Sequence, residues 1–320
     1  MSTTVELLDQ TGRWHSRTVS YWRGRWEQVQ RLLPTFAIED FRAGNDAPPN
    51  PHLKTVVRKP TTIYEMPIPV GVVSYSYTLA QHLDVANKCL EGIAAVGVNV
   101  NDLDCEIGLT ELGEWMNLRI YFPEQYNQTF ADKNPIRLRL ECMNSVDGSS
   151  RLVILLGWFR LVCSNGLVIG ETKKEIRDIH NESLDLDKIP PLIRAAMELV
   201  NGDVERLRDW ENSSFKTDDL EPWVNKTVSE SWGKKAACRV FHICNSGQDV
   251  EFTDPFAPGE ATEKPVKATL KVPGAKVPAS NLYDVSQAMS WVATSRNNTE
   301  ERLDWQMKIP NMIEKLALRS

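Results

Sequence analysis

The stretch that most constrains the fold is residues 136–170, IRLRLECMNSVDGSSRLVILLGWFRLVCSNGLVIG, which holds the longest apolar run of the chain. Over residues 136–142, apolar side chains alternate with charged ones, a period typical of a strand with one wet face. Residues 144–150 then offer Gly148 for a tight reversal. Because residues 151–162 contain only two charged side chains, they predict a strand buried on most sides. The stretch therefore predicts a central hairpin in the core of the main domain.

The segments around this hairpin predict an α+β fold, with an antiparallel sheet and a packed helix in the first half and a mainly helical second half. Thr78 is the expected N-cap of the packed helix. The predicted strands are residues 72–77, 104–109, 115–122 and 136–142, and the predicted helices begin or lie at residues 79–96, 171–181, 190–210, 223–242, 281–296 and 305–318. The predicted domains are residues 1–70, an N-terminal arm and Pro-rich linker; residues 71–170, the sheet-plus-helix core; and residues 171–320, a helical region with a flexible loop near 249–278.

The composition and charge of the chain limit the functions that we expect of it. The chain of 320 residues has a formal net charge of −6, which opposes bulk electrostatic binding to nucleic acid but leaves room for a local basic groove. No apolar run reaches the ~20 residues of a membrane span. The N-terminus lacks the pattern of a secretory signal, so we expect a cytoplasmic protein with its six dispersed cysteines reduced.

Two motifs in the central hairpin carry a resemblance to a known family. NSVDGSS at residues 144–150 and GWFRLVCSNGL at residues 157–167 are similar to the signature of a phage/plasmid-like protein family, a domain of unknown function found in mobile elements. The residues of this signature are Asn144, Asp147, Gly148, Arg160, Cys163, Asn165 and Gly166. The resemblance covers roughly residues 74–170, and residues 281–296 resemble the family's closing segment more loosely. It implies a mobile-element gene and a bacterial host cytoplasm, and it supplies no catalytic residue.

The N-terminal arm interleaves basic and aromatic residues. Between Gln10 and Pro34 there are five arginines and one acid, Glu27. Such a pattern suits single-stranded DNA, because rings stack on bases and guanidinium groups bind phosphates. The candidate binding residues are Arg13, Arg17, Trp22, Arg23, Arg25 and Trp26. The alternative is an amphipathic helix over residues 22–33 that docks its apolar face and covers the rim with arginine stems.

The reversal of the central hairpin offers a second candidate, an anion-binding nest of backbone amides at residues 147–150 flanked by arginines of the neighbouring strands. The candidate residues are Arg137, Arg139, Ser149, Ser150 and Arg151. An ordinary hairpin turn with solvated strand faces is the alternative.

The remaining motifs do not indicate an enzyme. Cys238, His242 and Cys244 form a Cys/His cluster, but a structural zinc site requires a fourth ligand, and no second pair is near. Cys163 follows an apolar run, where a small core residue is the commoner role than a nucleophile. No nucleotide-binding, nucleophile-elbow or zincin motif is present, and the acidic pairs at 102/104 and 218/219 suit turns or helix starts as well as magnesium. We therefore predict no catalytic residue, metal or cofactor.

Three functional hypotheses follow. The first is a non-catalytic accessory protein of a phage, plasmid or prophage that binds single-stranded DNA during replication or recombination. The second is an interaction protein that binds and inhibits a host defence or restriction protein, for which an acidic surface is suited. The third is a metal-dependent nuclease. Homo-oligomers are compatible with the first two.

Overall fold

The structure is a computed structural model that describes residues 5–44, 46–63, 65–130, 135–160, 166–167, 176–178, 180–181, 183–251, 267–296 and 298–319. The described residues form antiparallel sheets, and their helices lie mostly in the second half of the chain, so the predicted α+β fold is confirmed. Among these residues, no helix combines the length and apolar character needed to span a membrane.

The described strands are, in chain order, β1 (Glu6–Trp14), β2 (Arg17–Arg25), β3 (Phe36–Asp40), β4 (Leu53–Arg58), β5 (Ile68–Ser74), β6 (Asp104–Thr110), β7 (Trp115–Tyr121), β8 (Gln128–Thr129), β9 (Pro135–Ser145), β10 (Leu152–Arg160), β11 (Gly166–Leu167), β12 (Ile176–Asp178), β13 (Gln248–Glu251) and β14 (Lys267–Lys271). The described helices are α1 (Trp26–Val29), α2 (His82–Ala94), α3 (Ile189–Met197), α4 (Val200–Asn212), α5 (Thr217–Trp223), α6 (Ser229–Trp232), α7 (Lys234–Ser246), α8 (Leu282–Thr294) and α9 (Thr299–Ala317). A π-helical turn, Val224–Val228, joins α5 to α6.

The chain forms two compact units. Unit 1 contains Met1–Glu124, Arg139–Leu156 and Lys173–Glu198, and unit 2 contains Gln125–Leu138, Gly157–Thr172 and Leu199–Ser320.

Unit 1 is built on an antiparallel sheet with the strand order β1-β2-β6-β7-β9-β10, and β12 pairs with β10. The predicted central hairpin is confirmed as β9 and β10. The predicted packed helix is α2, and its Cys89 lies close enough to Cys142 of β9 to raise the pKa of that thiol. Because side chains alternate along a strand, this contact places α2 against the apolar, even-numbered face of β9.

The other face of this sheet carries a buried network of charged side chains. The register places Glu106, Arg119 and Glu141 beside one another on β6, β7 and β9. Arg119 donates hydrogen bonds to Glu106 and to Glu141, each at 3.3 Å, and all three side chains are buried. Burial alone would lower the pKa of Arg119, but the electrostatic effects of Tyr21 and Glu141 raise it above its ordinary value. Pairing of this kind lets a sheet bury charge.

A small sheet of β3, β4 and β5 also belongs to unit 1, and its core includes Phe36, Val56, Val73 and Val146. The side-chain amide of Gln81 donates to the carbonyl oxygen of Phe36 at 2.8 Å and accepts from its amide at 3.0 Å. Gln81 thus occupies the outer edge of β3 as a neighbouring strand would.

The described part of unit 2 is mainly helical. Trp232 and Trp305 stack with ring centroids 4.7 Å apart. Asp249 accepts a bidentate pair of hydrogen bonds from Arg239, each 2.7 Å long, and one of 2.8 Å from the indole of Trp291. These contacts connect α7, β13 and α8.

Several predicted helices match and others are wrong. The cap before α8 is confirmed, and the helix predicted at residues 190–210 is present as α3 and α4. The alternative of a helix over residues 22–33 is wrong for its first turn, because residues 22–25 pair with β6 as part of β2. The N-cap of α2 is Gln81 and not Thr78.

Three predictions for the second half are wrong in part. The segment predicted to begin a helix at residues 171–181 contributes β12 where it is described. The helix expected over residues 223–242 is divided by the π-helical turn and by Gly233, whose φ of 85° interrupts the helix. The loop expected at 249–278 contains β14, which pairs with β13. Residues 252–266 of that loop lie outside the described residues.

Candidate nucleic-acid interface

Two of the candidate sets meet at one end of the large sheet of unit 1. The β1–β2 turn at residues 15–16 and the β9–β10 turn at residues 146–151 lie together there, with the β6–β7 turn at residues 111–114. Contacts between these turns include Arg17 with Asp147, 130 positions apart in the chain, so the alignment of the strands brings the turns together.

Arg17 links the three turns. Its Nη1 donates to Oε1 of Glu114 at 2.6 Å and to Oδ2 of Asp147 at 2.9 Å. The hydrogen bond to Asp147 raises the pKa of Arg17, and the charge of Glu114 acts in the same direction. The second carboxylate oxygen of Glu114 is also fixed, because the hydroxyl of Thr110 donates to Oε2 at 2.6 Å.

Two indole rings support the same end of the sheet. Trp14 and Trp115 are fully buried and stack with centroids 4.7 Å apart. The Nε1 of Trp14 donates to Oγ of Ser149 at 3.4 Å. The N-terminal hairpin is therefore attached to the β9–β10 turn by a hydrogen bond and an ion pair.

The β9–β10 turn has little freedom. Gly148 has a φ of 77°, which favours glycine, and a Cβ on Gly71 of β5 would lie 2.7 Å from the Cα of Asp147.

The predicted amide nest at this turn needs correction. The amide of Ser149 donates to Oδ1 of Asp147 and that of Ser150 to Oγ of Ser145, each at 3.0 Å, so neither is free for an external anion.

The charge that reaches solvent at this end is mostly basic. Arg13 and Arg151 are exposed, and in the described part of the chain their side chains have no hydrogen bond or ion pair. The side chain of Arg17 is 46% exposed, whereas those of Glu114 and Asp147 are each 4% exposed. Glu111 is an exposed acid in the adjacent β6–β7 turn. We call Arg13, Arg17, Gly148, Ser149 and Arg151 the turn surface.

The other candidates of the arm are engaged within the protein. Arg23 forms an ion pair with Asp104, and Nη1 of Arg25 donates to the carbonyl oxygen of Asp102 at 2.5 Å. Trp22 and Trp26 are half-buried. These residues do not join the turn surface.

The sequence led us to expect Arg137 and Arg139 beside Arg151, but the structure does not place them there. Arg139 is six residues before the end of β9, roughly 20 Å along the strand from the turn. It pairs with Glu141, donates to the hydroxyl of Tyr121 at 3.2 Å and is buried. Arg137 is half-buried further along the same strand.

A buried histidine next to this end has no counterpart among the sequence predictions. Nε2 of His82 bonds the carbonyl oxygen of Gly113 at 2.8 Å, so it carries the proton, and Nδ1 accepts from Nδ2 of Asn144 at 2.9 Å. Burial lowers the pKa of His82 to about 4. His82 is therefore neutral at pH 7, and it fixes the orientation of Asn144, a residue of the signature motif. A lone histidine after a Gln gives no signal of such a pairing in the sequence.

The remaining candidates are dispersed. Cys163 and Asn165 lie outside the described residues, and only the backbone of Arg160 and Gly166 is described, in β10 and β11. Cys238 and Cys244 are buried on α7, where burial raises the thiol pKa of Cys238 to about 12. Within the described part of the chain, no group of three or more His, Cys, Asp or Glu side chains is placed to hold a metal ion.

Comparison with curated proteins found no match, and comparison with solved structures found none either. The model of one family, the domain of unknown function DUF932, matches residues 69–242, more than half of the chain. The match includes α2 and the central hairpin with its signature motif, while Arg13 and Arg17 precede it. The chain therefore belongs to the DUF932 family.

Proposed function

We propose that this protein is a non-catalytic accessory protein of phages, plasmids or prophages that binds single-stranded DNA through the turn surface. The observation that carries the proposal is the contrast in exposure at this end of the sheet. Three arginines at this end are exposed, while the two carboxylates that pair with Arg17 are almost completely buried. A polyanion approaching this end therefore meets mostly positive charge, although the whole chain is acidic.

The ligand group that fits best is phosphate. The planar guanidinium presents a fork of donors that matches phosphate oxygens. Neither Arg13 nor Arg151 forms a side-chain hydrogen bond or an ion pair with the described residues, and both are exposed to solvent. Arg17 keeps its orientation through Asp147 and Glu114, so its exposed part is held in place before binding.

Base stacking contributes less than the sequence suggested. The predicted stacking residues, Trp22 and Trp26, are half-buried and lie outside the turn surface, and the rings of Trp14 and Tyr21 are buried. The proposed binding is therefore dominated by phosphate contacts, tolerant of sequence and strongly dependent on salt.

Single strands suit this surface better than duplexes. A flexible strand can bring successive phosphates to a cluster at the end of a sheet, whereas duplex DNA is stiff over about 150 base pairs.

The test is fluorescence anisotropy with labelled oligo(dT) and with a duplex, using the full chain. We expect the wild type to bind the single strand more tightly, and Arg13→Glu/Arg151→Glu to weaken that binding at least tenfold. Arg31→Glu is the matched control, because Arg31 is also exposed and without a partner among the described residues, but lies in the turn after α1. Glu111→Gln should strengthen binding, because it removes the exposed acid of the adjacent turn.

Absence of binding to either form of DNA would refute the proposal and favour a host defence protein as the partner. Equal losses in the Arg31 control and in the Arg13/Arg151 variant would show that binding follows overall charge and not the turn surface.

A further inference from the structure

Tyr75 is the one aromatic side chain that is largely exposed in the described part of the chain. It is 67% exposed, whereas the other aromatic side chains that the structure describes are buried or half-buried. A single exposed ring is common on protein surfaces, so its meaning depends on what lies beside it.

The ring is carried by a turn that directly follows β5. The amide of Tyr77 donates to the carbonyl oxygen of Ser74 at 3.1 Å, which closes the turn. The amide of Tyr75 donates to the carbonyl oxygen of His52 at 2.8 Å. The backbone that carries the ring is therefore held in place by the protein itself, before any ligand binds.

This turn lies next to the turn surface. On one side of Tyr75, a Cβ on Gly148 would lie 3.2 Å from Cγ1 of Val73. On the other side, the hydroxyl of Tyr77 donates to the carbonyl oxygen of Ser145 at 3.3 Å. Tyr75 is two residues from each of these contacts, which is roughly 7 Å along an extended chain. A strand bound at the turn surface can therefore bring a neighbouring nucleotide to this ring.

A cation lies over one face of the ring. Nζ of Lys54 is 5.0 Å from the centroid of Tyr75, and it forms an ion pair with Asp40 at 2.8 Å. Arg42 pairs with the same carboxylate at 3.0 Å, so these three charged side chains carry one net positive charge. Because Tyr75 is 67% exposed despite the contact with Lys54, the other face of its ring is open. An open aromatic face beside a cation suits a nucleic-acid base and the phosphate next to it.

We propose that Tyr75 stacks on a base of the single strand whose phosphates bind the turn surface. The base lies on the open face of the ring, and Lys54 lies on the opposite face. This inference rests on the proposed function and adds to it a contact with a base. Every base has an aromatic face, so the contact tolerates any sequence. It also explains a preference for single strands, because a base of a duplex must leave its stack and its partner before it can reach the ring.

The test compares Tyr75→Ala with the wild type by fluorescence anisotropy on three ligands: oligo(dT), an abasic strand of the same length and a duplex. We expect the variant to bind oligo(dT) at least fivefold more weakly, which corresponds to about 1 kcal/mol for one stacked base. Its binding to the abasic strand and to the duplex should be unchanged, because neither presents a free base. Tyr75→Trp should keep the affinity for oligo(dT), since it keeps an aromatic ring.

Val72→Ala is the matched control. Val72 is also exposed on β5, but side chains alternate along a strand, so it lies on the opposite face of the small sheet from Val73. This variant should bind oligo(dT) as the wild type does. In Tyr75→Ala the slope of log K against log salt should also stay the same, because no phosphate contact is lost.

The outcomes separate this inference from the proposed function. Wild type and Tyr75→Ala binding oligo(dT) equally well would overturn the inference and leave the proposed function standing. An equal loss on the abasic strand would also overturn it, since the ring would then not act through a base. A wild type that binds no DNA would refute both.

Discussion

Replacing Glu141 by alanine should cause one of the largest losses of stability in unit 1. Glu141 accepts hydrogen bonds from Asn117 at 2.8 Å and Arg119 at 3.3 Å, forms an ion pair with Arg139, and is 1% exposed. Its removal leaves two buried guanidinium groups with fewer acceptors: Glu106 remains for Arg119, and the hydroxyl of Tyr121 for Arg139.

The size of this loss follows from the cost of an incompletely paired buried charge. Breaking a buried ion pair from one side typically costs about 3–5 kcal/mol, and most domains have about 5–15 kcal/mol in total. We therefore expect Glu141→Ala to lower the free energy of unfolding by about 4 kcal/mol. Glu141→Gln should lose less, because its amide oxygen still accepts from Asn117 or Arg119.

Urea unfolding, followed by circular dichroism and tryptophan fluorescence, measures this loss. Glu39→Ala is the control, since Glu39 is exposed and has no ion pair with the described residues, and it should change stability by less than about 0.5 kcal/mol. A loss below about 1 kcal/mol for Glu141→Ala would refute the reasoning, because the guanidinium groups would then have found water or other acceptors.

Three further predictions concern single side chains. The pKa of His82 is about 4 in the folded chain and near 6.5 when unfolded. The stabilisation that the neutral, buried imidazole gives to the folded state is therefore fully present above pH 6.5 and is lost as pH falls toward 4. The loss between pH 7.5 and pH 5 should be about 2 kcal/mol greater in the wild type than in His82→Gln, and equal pH profiles in urea unfolding would contradict this. Asn281→Ala should cost about 1 kcal/mol, because the side chain of Asn281 accepts from the amide of Asp284 at 2.8 Å at the start of α8; an unchanged thermal midpoint would argue against this cap. Gly148→Ala should cost roughly 1–2 kcal/mol, since Gly148 has a φ of 77°; Gly44→Ala is its control, as a Cβ there meets nothing within 4 Å.

The elements that were predictable are those whose pattern repeats locally. The alternation in β9 and the apolar run of β10 identified the central hairpin, and the Asn281 cap identified α8. In β2 the local pattern was misleading. The segment from Trp22 has the spacing of a helix face, but its first residues pair with β6, because tertiary pairing outweighs the local preference. Gln81 replaced the expected cap of α2 at Thr78, and the same side chain also bonds to β3.

The turn surface was predictable only in parts. The sequence identified Arg13 and Arg17 as one candidate set and Ser149 and Arg151 as another, but nothing in either segment indicates that they meet. Their proximity depends on the strand order and register, which place the β1–β2, β6–β7 and β9–β10 turns at a common end of the sheet. The burial of Trp14 likewise depends on Trp115, about 100 residues later.

The buried network of charged side chains on β6, β7 and β9 was likewise not predictable from the sequence alone. The alternation of Asn117, Arg119 and Tyr121 with apolar residues marks a polar face of β7, which reads as a solvated face from sequence alone. Only the register with Glu106 and Glu141 shows that the charges on this face are paired and buried.

The salt dependence of oligo(dT) binding tests the central proposal most directly, with the wild type and Arg13→Glu/Arg151→Glu measured side by side. Each phosphate neutralised on a single strand contributes about 0.7 to the slope of log K against log salt. If Arg13 and Arg151 each bind one phosphate, the slope of the variant should be smaller by about 1.4, with weaker binding at low salt. The same slope and the same affinity in both proteins would contradict the assignment of the turn surface as the DNA-binding site.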